Sequence, residues 1–216
     1  MISHAILAGP AAGLRSNPSP PAAGPGNFAD LVKDSFARPA PASARQSPRE
    51  LAATAMPRLF GDAYDTRTGT IDMVRFARRV GEETADLAAE LTRRLHLAGI
   101  DTSIPVSLTV RGDGTVSAAG DHPQRQAIEK MFADDPALAN RYRKVAADNH
   151  MIATAQLASR FHQAWYDCKD EEEREKVWLR YRGLFDRLQT TSGQMTLTGG
   201  TLSSASLSLV GGAALA

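Results

Sequence analysis

The stretch Val106–Pro136, VSLTVRGDGTVSAAGDHPQRQAIEKMFADDP, decides how the rest of the chain is read. Val106, Leu108 and Val110 alternate with Ser107 and Thr109, the period expected of a strand with one buried face. Val116 and Ala118 resume the alternation after the turn. A two-residue loop at Gly112-Asp113 would set Val110 opposite Thr115 and turn Val116 to the wrong face. A three-residue loop, Gly112-Asp113-Gly114, sets Val110 opposite Val116 and Leu108 opposite Ala118. A slip of one residue flips every side chain, so the second register is the expected one. Gly114 then occupies the positive-φ position of the loop. The tripeptide Arg111-Gly112-Asp113 has the form of an integrin signal, but turn chemistry alone accounts for all three residues.

Behind the hairpin, Asp121 is placed to cap a helix, with Gln124 three residues on as in a capping box. His122, beside the cap, is expected at the surface. Ile128, Met131 and Phe132 supply the apolar face of this helix. Asp135-Pro136 repeats the device, with Asp135 as N-cap and Pro136 at the first helical position.

Long helical patterns flank this stretch. Upstream, Thr70 is the expected N-cap, with Asp72 in the first turn. Met73, Phe76, Ala77, Val80, Thr84, Leu87, Ala88, Leu91 and Leu95 then trace one stripe. Gly99 followed by Ile100 reads as a left-handed stop with its apolar follower. Downstream, a helix from Pro136 to about Tyr166 buries Leu138, Tyr142, Val145, Ile152, Leu157, Phe161 and Trp165. Asn149 interrupts that stripe, and burying it requires partners, so it is expected to set register against a neighbouring helix. A last helix follows the charged run 167–176, in which Asp170/Arg174 and Glu172/Lys176 stand four apart. Its stripe is Val177, Tyr181, Leu184, Phe185 and Leu188. Fold class is therefore mainly α (α+β): a bundle of long helices over residues 70–189 with a hairpin insertion at 106–119.

The two ends differ from this body. Residues 1–57 hold nine of the twelve prolines and no acidic residue before Asp30. Such a composition cannot bury enough apolar surface to offset its ordering entropy, and disorder is expected. One island, near 28–36, breaks it: Phe28, Leu31, Val32 and Phe36 share a helical face, available to the domain or to a partner. Residues 58–69 read as a connector. Residues 190–216 carry no charge at all. Met195/Leu197 and Leu207/Leu209 alternate with Thr or Ser around Gly199-Gly200, which predicts strands at about 194–198 and 201–210. Such edges must be covered, by the chain's own hairpin or by another chain. In the second case Leu197, Leu202, Leu207 and Leu209 are candidate partner-binding residues, through self-association or strand addition.

Composition bounds the function. Net charge is +1, which argues against a nucleic-acid partner. The single cysteine, Cys168, excludes an internal disulfide and a multi-cysteine metal site. No apolar run reaches the length of a membrane span. Residues 2–14 lack the positive start of a secretory signal. The chain is expected to be cytoplasmic at synthesis, with export by a route that cleaves no signal left open. No Gly-rich phosphate loop, zincin helix, nucleophile elbow or Cys-x-x-Cys pair is present in the sequence. No catalytic, cofactor-binding or metal residues are assigned. Cys168 and His162 lie six apart and point to opposite sides of one helix. Asp148, Asn149 and His150 are consecutive and diverge by about 100° each.

The segment Ile100–Trp165 resembles an uncharacterised bacterial family associated with motility and secretion. The matching features are Gly120-Asp121-His122-Pro123, the helix with Ile128, Glu129 and Phe132, and Asp134–Asn140. Separately, Asn27–Phe36 (NFADLVKDSF) resembles the leader of flagellar basal-body components, notably the rod–ring junction protein, although the helical body here is far larger than that protein. These resemblances imply a flagellar or secretion-system accessory or export substrate. The expectation is a non-enzymatic interaction or assembly protein; the alternative is a small enzyme whose site is assembled from separate helices.

Overall fold

The hairpin forms in the register that its side chains demand. The computed structural model describes residues 48–212, with side chains from residue 54 onward. In it β3 (Val106–Val110) pairs antiparallel with β4 (Val116–Ala119), with Val110 opposite Val116 and Leu108 opposite Ala118. Gly114 takes φ 83° and donates its N–H to the Arg111 carbonyl at 2.8 Å. The Asp113 carboxylate turns back onto its own loop, accepting from the Thr115 N–H (2.9 Å) and hydroxyl (2.7 Å). The Asp of the Arg-Gly-Asp triplet is thus engaged in turn formation.

The uncharged tail completes this sheet. β5 (Met195–Thr198) pairs antiparallel with β3, and β6 (Thr201–Ser204) with β5, giving the order β4-β3-β5-β6. Cover therefore comes from the chain's own hairpin. The second strand is shorter than expected: it stops at Ser204, and α6 (Ala205–Gly212) follows. Leu207 and Leu209 are helical residues, not strand residues. A helix lets Val210 reach the interior, 1% exposed, while the Arg160 guanidinium donates to the Val210 carbonyl at 2.7 Å.

The long helices sit where their stripes predict. α2 (Met73–Leu97) buries Phe76, Val80, Leu87, Ala88, Leu91 and Leu95. Its cap is Asp72 rather than the expected Thr70: the Asp72 carboxylate accepts from the Val74 and Arg75 amides, and Thr70 lies two residues earlier, in the short strand β2 (Thr70–Ile71) paired with β1 (Tyr64–Asp65). At the other end the Gly99 N–H bonds His96 and the Ile100 N–H bonds Leu95, with Gly99 at φ 67° and Ile100 buried, a complete Schellman stop. α4 (Pro136–Tyr166) starts on Asp135, which accepts from the Leu138 amide at 3.0 Å and from Arg94 at 2.6 Å. These donors hold the Asp135 carboxyl below the usual carboxylate range and tie the end of α2 to the start of α4. Asn149 is buried and donates to the Thr84 hydroxyl (3.0 Å) and the Val145 carbonyl (2.8 Å), so it does join α4 to α2.

Two expectations about helix starts are corrected. α3 (Arg125–Asp134) begins after Gln124, with no side-chain cap, so Asp121 does not cap it. His122 does the local work instead: it is buried, 7% exposed rather than at the surface, and its Nδ1 accepts from the Gln124 N–H. The Gln124 amide turns away to clamp the Gly99 carbonyl and the Asp101 N–H. The boundary at residue 57 is crossed by α1 (Pro48–Phe60), which runs through Pro57. Docking explains it. Phe60 packs on Phe76 with ring centroids 5.0 Å apart, and the Arg79 guanidinium donates to the carbonyls of Leu59 and Phe60. The remainder of the 1–57 segment lies outside the described residues.

The helix after α4, α5 (Glu171–Thr190), packs against α4 and α6 through Leu184 and Leu188. Its N-cap is Asp170, which accepts from the Glu173 amide at 2.9 Å. The main core lies between the helices and one sheet face; the other face carries Ser107, Thr109, Thr196, Thr198, Thr201 and Ser203.

Candidate functional site

The residues expected to bind a partner fall into three groups. Phe28, Leu31, Val32 and Phe36 lie outside the described residues. Leu197 and Leu202 face each other across β5 and β6 and are buried in the main core, so they are corrected from partner-binding to structural. Leu207 and Leu209 are half-buried and pack against the cores around Ile152 and Leu157. The tail is therefore not a free strand.

The polar clusters separate as helical geometry requires. Asp148 pairs with Lys144 at 2.9 Å, Asn149 with Thr84, and His150 Nδ1 with the Ser206 hydroxyl at 2.9 Å. Ser206 also contacts the Thr191 hydroxyl (3.0 Å) and carbonyl (3.2 Å). A Ser–His pair invites a nucleophilic reading, but Ser206 is 2% exposed, inside the contact that fastens α6. Cys168, two residues past the end of α4, donates to the Ala164 carbonyl of that helix, and His162 stacks edge-on with Tyr166. Among the described residues no three His, Cys, Asp or Glu side chains converge as metal ligands would. A cleft of about 350 Å³ beside the hairpin is lined by Arg111, Ser117, Glu129, Phe132 and Arg143. Its charges are partly spent: Glu129 pairs with Arg125 at 3.0 Å and with Arg111 at 3.7 Å, and Arg143 donates to the Gly114 carbonyl.

His150 gives a pH signature. Burial holds its pKa below the ordinary value of 6.5, so the folded state binds this proton less readily than the unfolded chain does. The sign follows: the stability is present above pH 6.5 and is lost as pH falls from 6.5 toward the folded value. Urea denaturation between pH 7.5 and pH 5 is expected to show a steeper loss for the wild type than for His150→Gln. Identical slopes would remove His150 from the account.

The surface that stands apart is at the far end of α4 and α5. Burial in α4 ends at Leu157 and in α5 begins at Leu184; no residue from 158 to 183 is buried. The two helices continue beyond the core as a paired arm. Phe161 is its hub, with ring centroids 5.7 Å from Trp165, 6.2 Å from Trp178, 5.4 Å from Tyr181 and 6.4 Å from Phe185. Phe161, Trp165, Tyr181 and Phe185, assigned to buried stripes by sequence, are only half-covered. Beside them Tyr166 is 72%, Trp178 50% and Leu179 58% exposed. Trp178 and Leu179 were not singled out by the periodicity, yet Val177-Trp178-Leu179 holds the signal. Three consecutive helical residues span about 200°, so they cannot all face one neighbour.

Comparison with protein-family models, with curated proteins and with solved structures finds no match to this chain. Among the described residues no helix is long and apolar enough to cross a membrane.

Proposed function

We propose that this chain is a non-enzymatic interaction or assembly protein, and that the α4–α5 arm is its docking surface. The observation that supports this most is the exposure of Tyr166, Trp178 and Leu179 around a half-covered aromatic cluster. Contiguous apolar patches rimmed by charge mark binding surfaces, and Trp and Tyr dominate binding energy where they occur. The partner contact thus moves from the tail, whose Leu197 and Leu202 are internal, to the arm. The setting proposed is flagellar or secretion-associated, as an accessory or export substrate. That part rests on the likeness of Asn27–Phe36 to a basal-body leader and of Ile100–Trp165 to a motility-associated family.

A photo-crosslinking amino acid at Leu179 tests the docking role in the native cell. Val74, 83% exposed on α2, is the control position. Defined adducts from position 179 and none from position 74 are expected. A bare chain at both positions would overturn the proposal.

A further inference from the structure

The charge pattern of α5 identifies what the arm docks against. Residues 170–175 carry five acids and one base, net −4, while residues 176–187 carry four bases and one acid, net +3. The helix is acidic in its first half and basic in its second. Trp178 and Leu179 lie near the change of sign. Glu175, Trp178, Leu179 and Arg182 occupy positions i, i+3, i+4 and i+7, one continuous face of the helix.

The two charges on that face differ from their neighbours. Glu171 pairs with Arg174 at 3.3 Å and Glu172 with Lys176 at 2.6 Å. Glu175 and Arg182 are exposed, and neither has an ion pair or side-chain hydrogen bond among the described residues. Seven residues of helix, about 10 Å of rise, keep them from meeting each other.

We propose that the arm docks on a second copy of this chain, α5 against α5, antiparallel about a twofold axis between Trp178 and Leu179. This rests on the reading of the arm as a docking surface and adds the identity of the occupant. Twofold symmetry makes the contact self-complementary. Trp178 and Leu179 of the two copies meet at the axis. Glu175 of each copy faces Arg182 of the other, so the pair forms twice. A parallel arrangement would set acid against acid and base against base. One contact opposes the pairing: Asp186 falls opposite Glu171, at the solvent-exposed rim where like charges cost little. Asp170 and Arg187 beside it have unlike signs.

Charge reversal in the full-length chain tests this. Trp165 and Trp178 are the only two tryptophans, and both lie in the arm, so intrinsic emission reports on it directly. Wild-type protein is expected to show a concentration-dependent monomer–dimer equilibrium by sedimentation, with a blue shift of emission. E175R sets arginine against arginine and R182E sets glutamate against glutamate, so each should weaken association by about tenfold or more. The double variant E175R/R182E restores opposite charges and should recover dimerisation to within a few-fold of wild type. Neither side chain has an ion pair or side-chain hydrogen bond among the described residues, and circular dichroism melts are expected to match for all four proteins. A wild type that stays monomeric at hundreds of micromolar overturns the proposal, and so does a double variant as weak as the singles. Adducts from position 179 with a different chain would preserve the docking role while excluding the second copy.

Discussion

A stop codon after Gln189 is expected to unfold the helical body rather than trim it. The removed segment supplies Met195, Leu197 and Leu202 to the core beneath the sheet and Val210 to the core between α4 and α5. Burying side chains of this size contributes about 1.5–3 kcal/mol each, so roughly 6–12 kcal/mol would be lost. A whole domain is stable by only about 5–15 kcal/mol. The loss also strips β3 of one partner and removes the Gly193 carbonyl that Val110 and Tyr142 use. Thermal melting by far-UV circular dichroism should show no cooperative transition in the truncated chain. A transition within a few degrees of the full-length protein would reduce the tail to an appendage.

Tyr142→Ala is expected to cost about 3–5 kcal/mol, the largest effect of a single substitution proposed for this fold. The ring is fully buried and meets Phe132 edge-on at 5.7 Å. Its hydroxyl reaches the carbonyls of Leu108 (3.0 Å) and Gly193 (3.1 Å), one on each of the two segments that the sheet joins. Burial pushes this phenol well above the ordinary tyrosine range, so it stays protonated and able to donate. Tyr142→Phe keeps the ring and should cost about 1–2 kcal/mol for the lost hydrogen bond. Urea denaturation of both variants separates the contributions. A harmless Tyr142→Phe would show that the hydroxyl plays no part in holding the tail.

The devices that were legible in sequence are those whose physics is local. The hairpin register followed from side-chain parity at Val110 and Val116. The Asp135-Pro136 start and the Gly99-Ile100 stop followed from capping rules that a few residues satisfy. Asn149 was legible as a registering residue because a buried amide must find partners. The misreadings come from interactions that local windows do not contain. Residues 48–57 look like leader by composition, but Arg79, far along the chain, completes the end of α1. Asp121 and Gln124 have the spacing of a capping box, but Gln124 is drawn off by Gly99 and Asp101. Leu207 and Leu209 alternate with serine, a period that eight residues cannot separate from a helical turn. For the arm, periodicity showed which residues face α4. It did not show that α4 and α5 outrun the core and leave those residues half-covered.

The sheet also sets a timetable for synthesis. Ser107 and Thr196 share a hydroxyl contact across 89 positions of chain. The β3–β4 hairpin needs only its own turn and forms within about 1–10 μs of becoming available. The strand that flanks β3 on its other side does not yet exist. At about 5–20 residues per second, translation delivers it roughly 4–16 s later. Throughout that interval one edge of β3 is open, with Val106 and Leu108 beside it, and an open edge accepts any extended chain that reaches it. Each nascent molecule thus passes through a period, set by ribosome speed, in which a stray strand can take the place that Met195–Thr198 later fills.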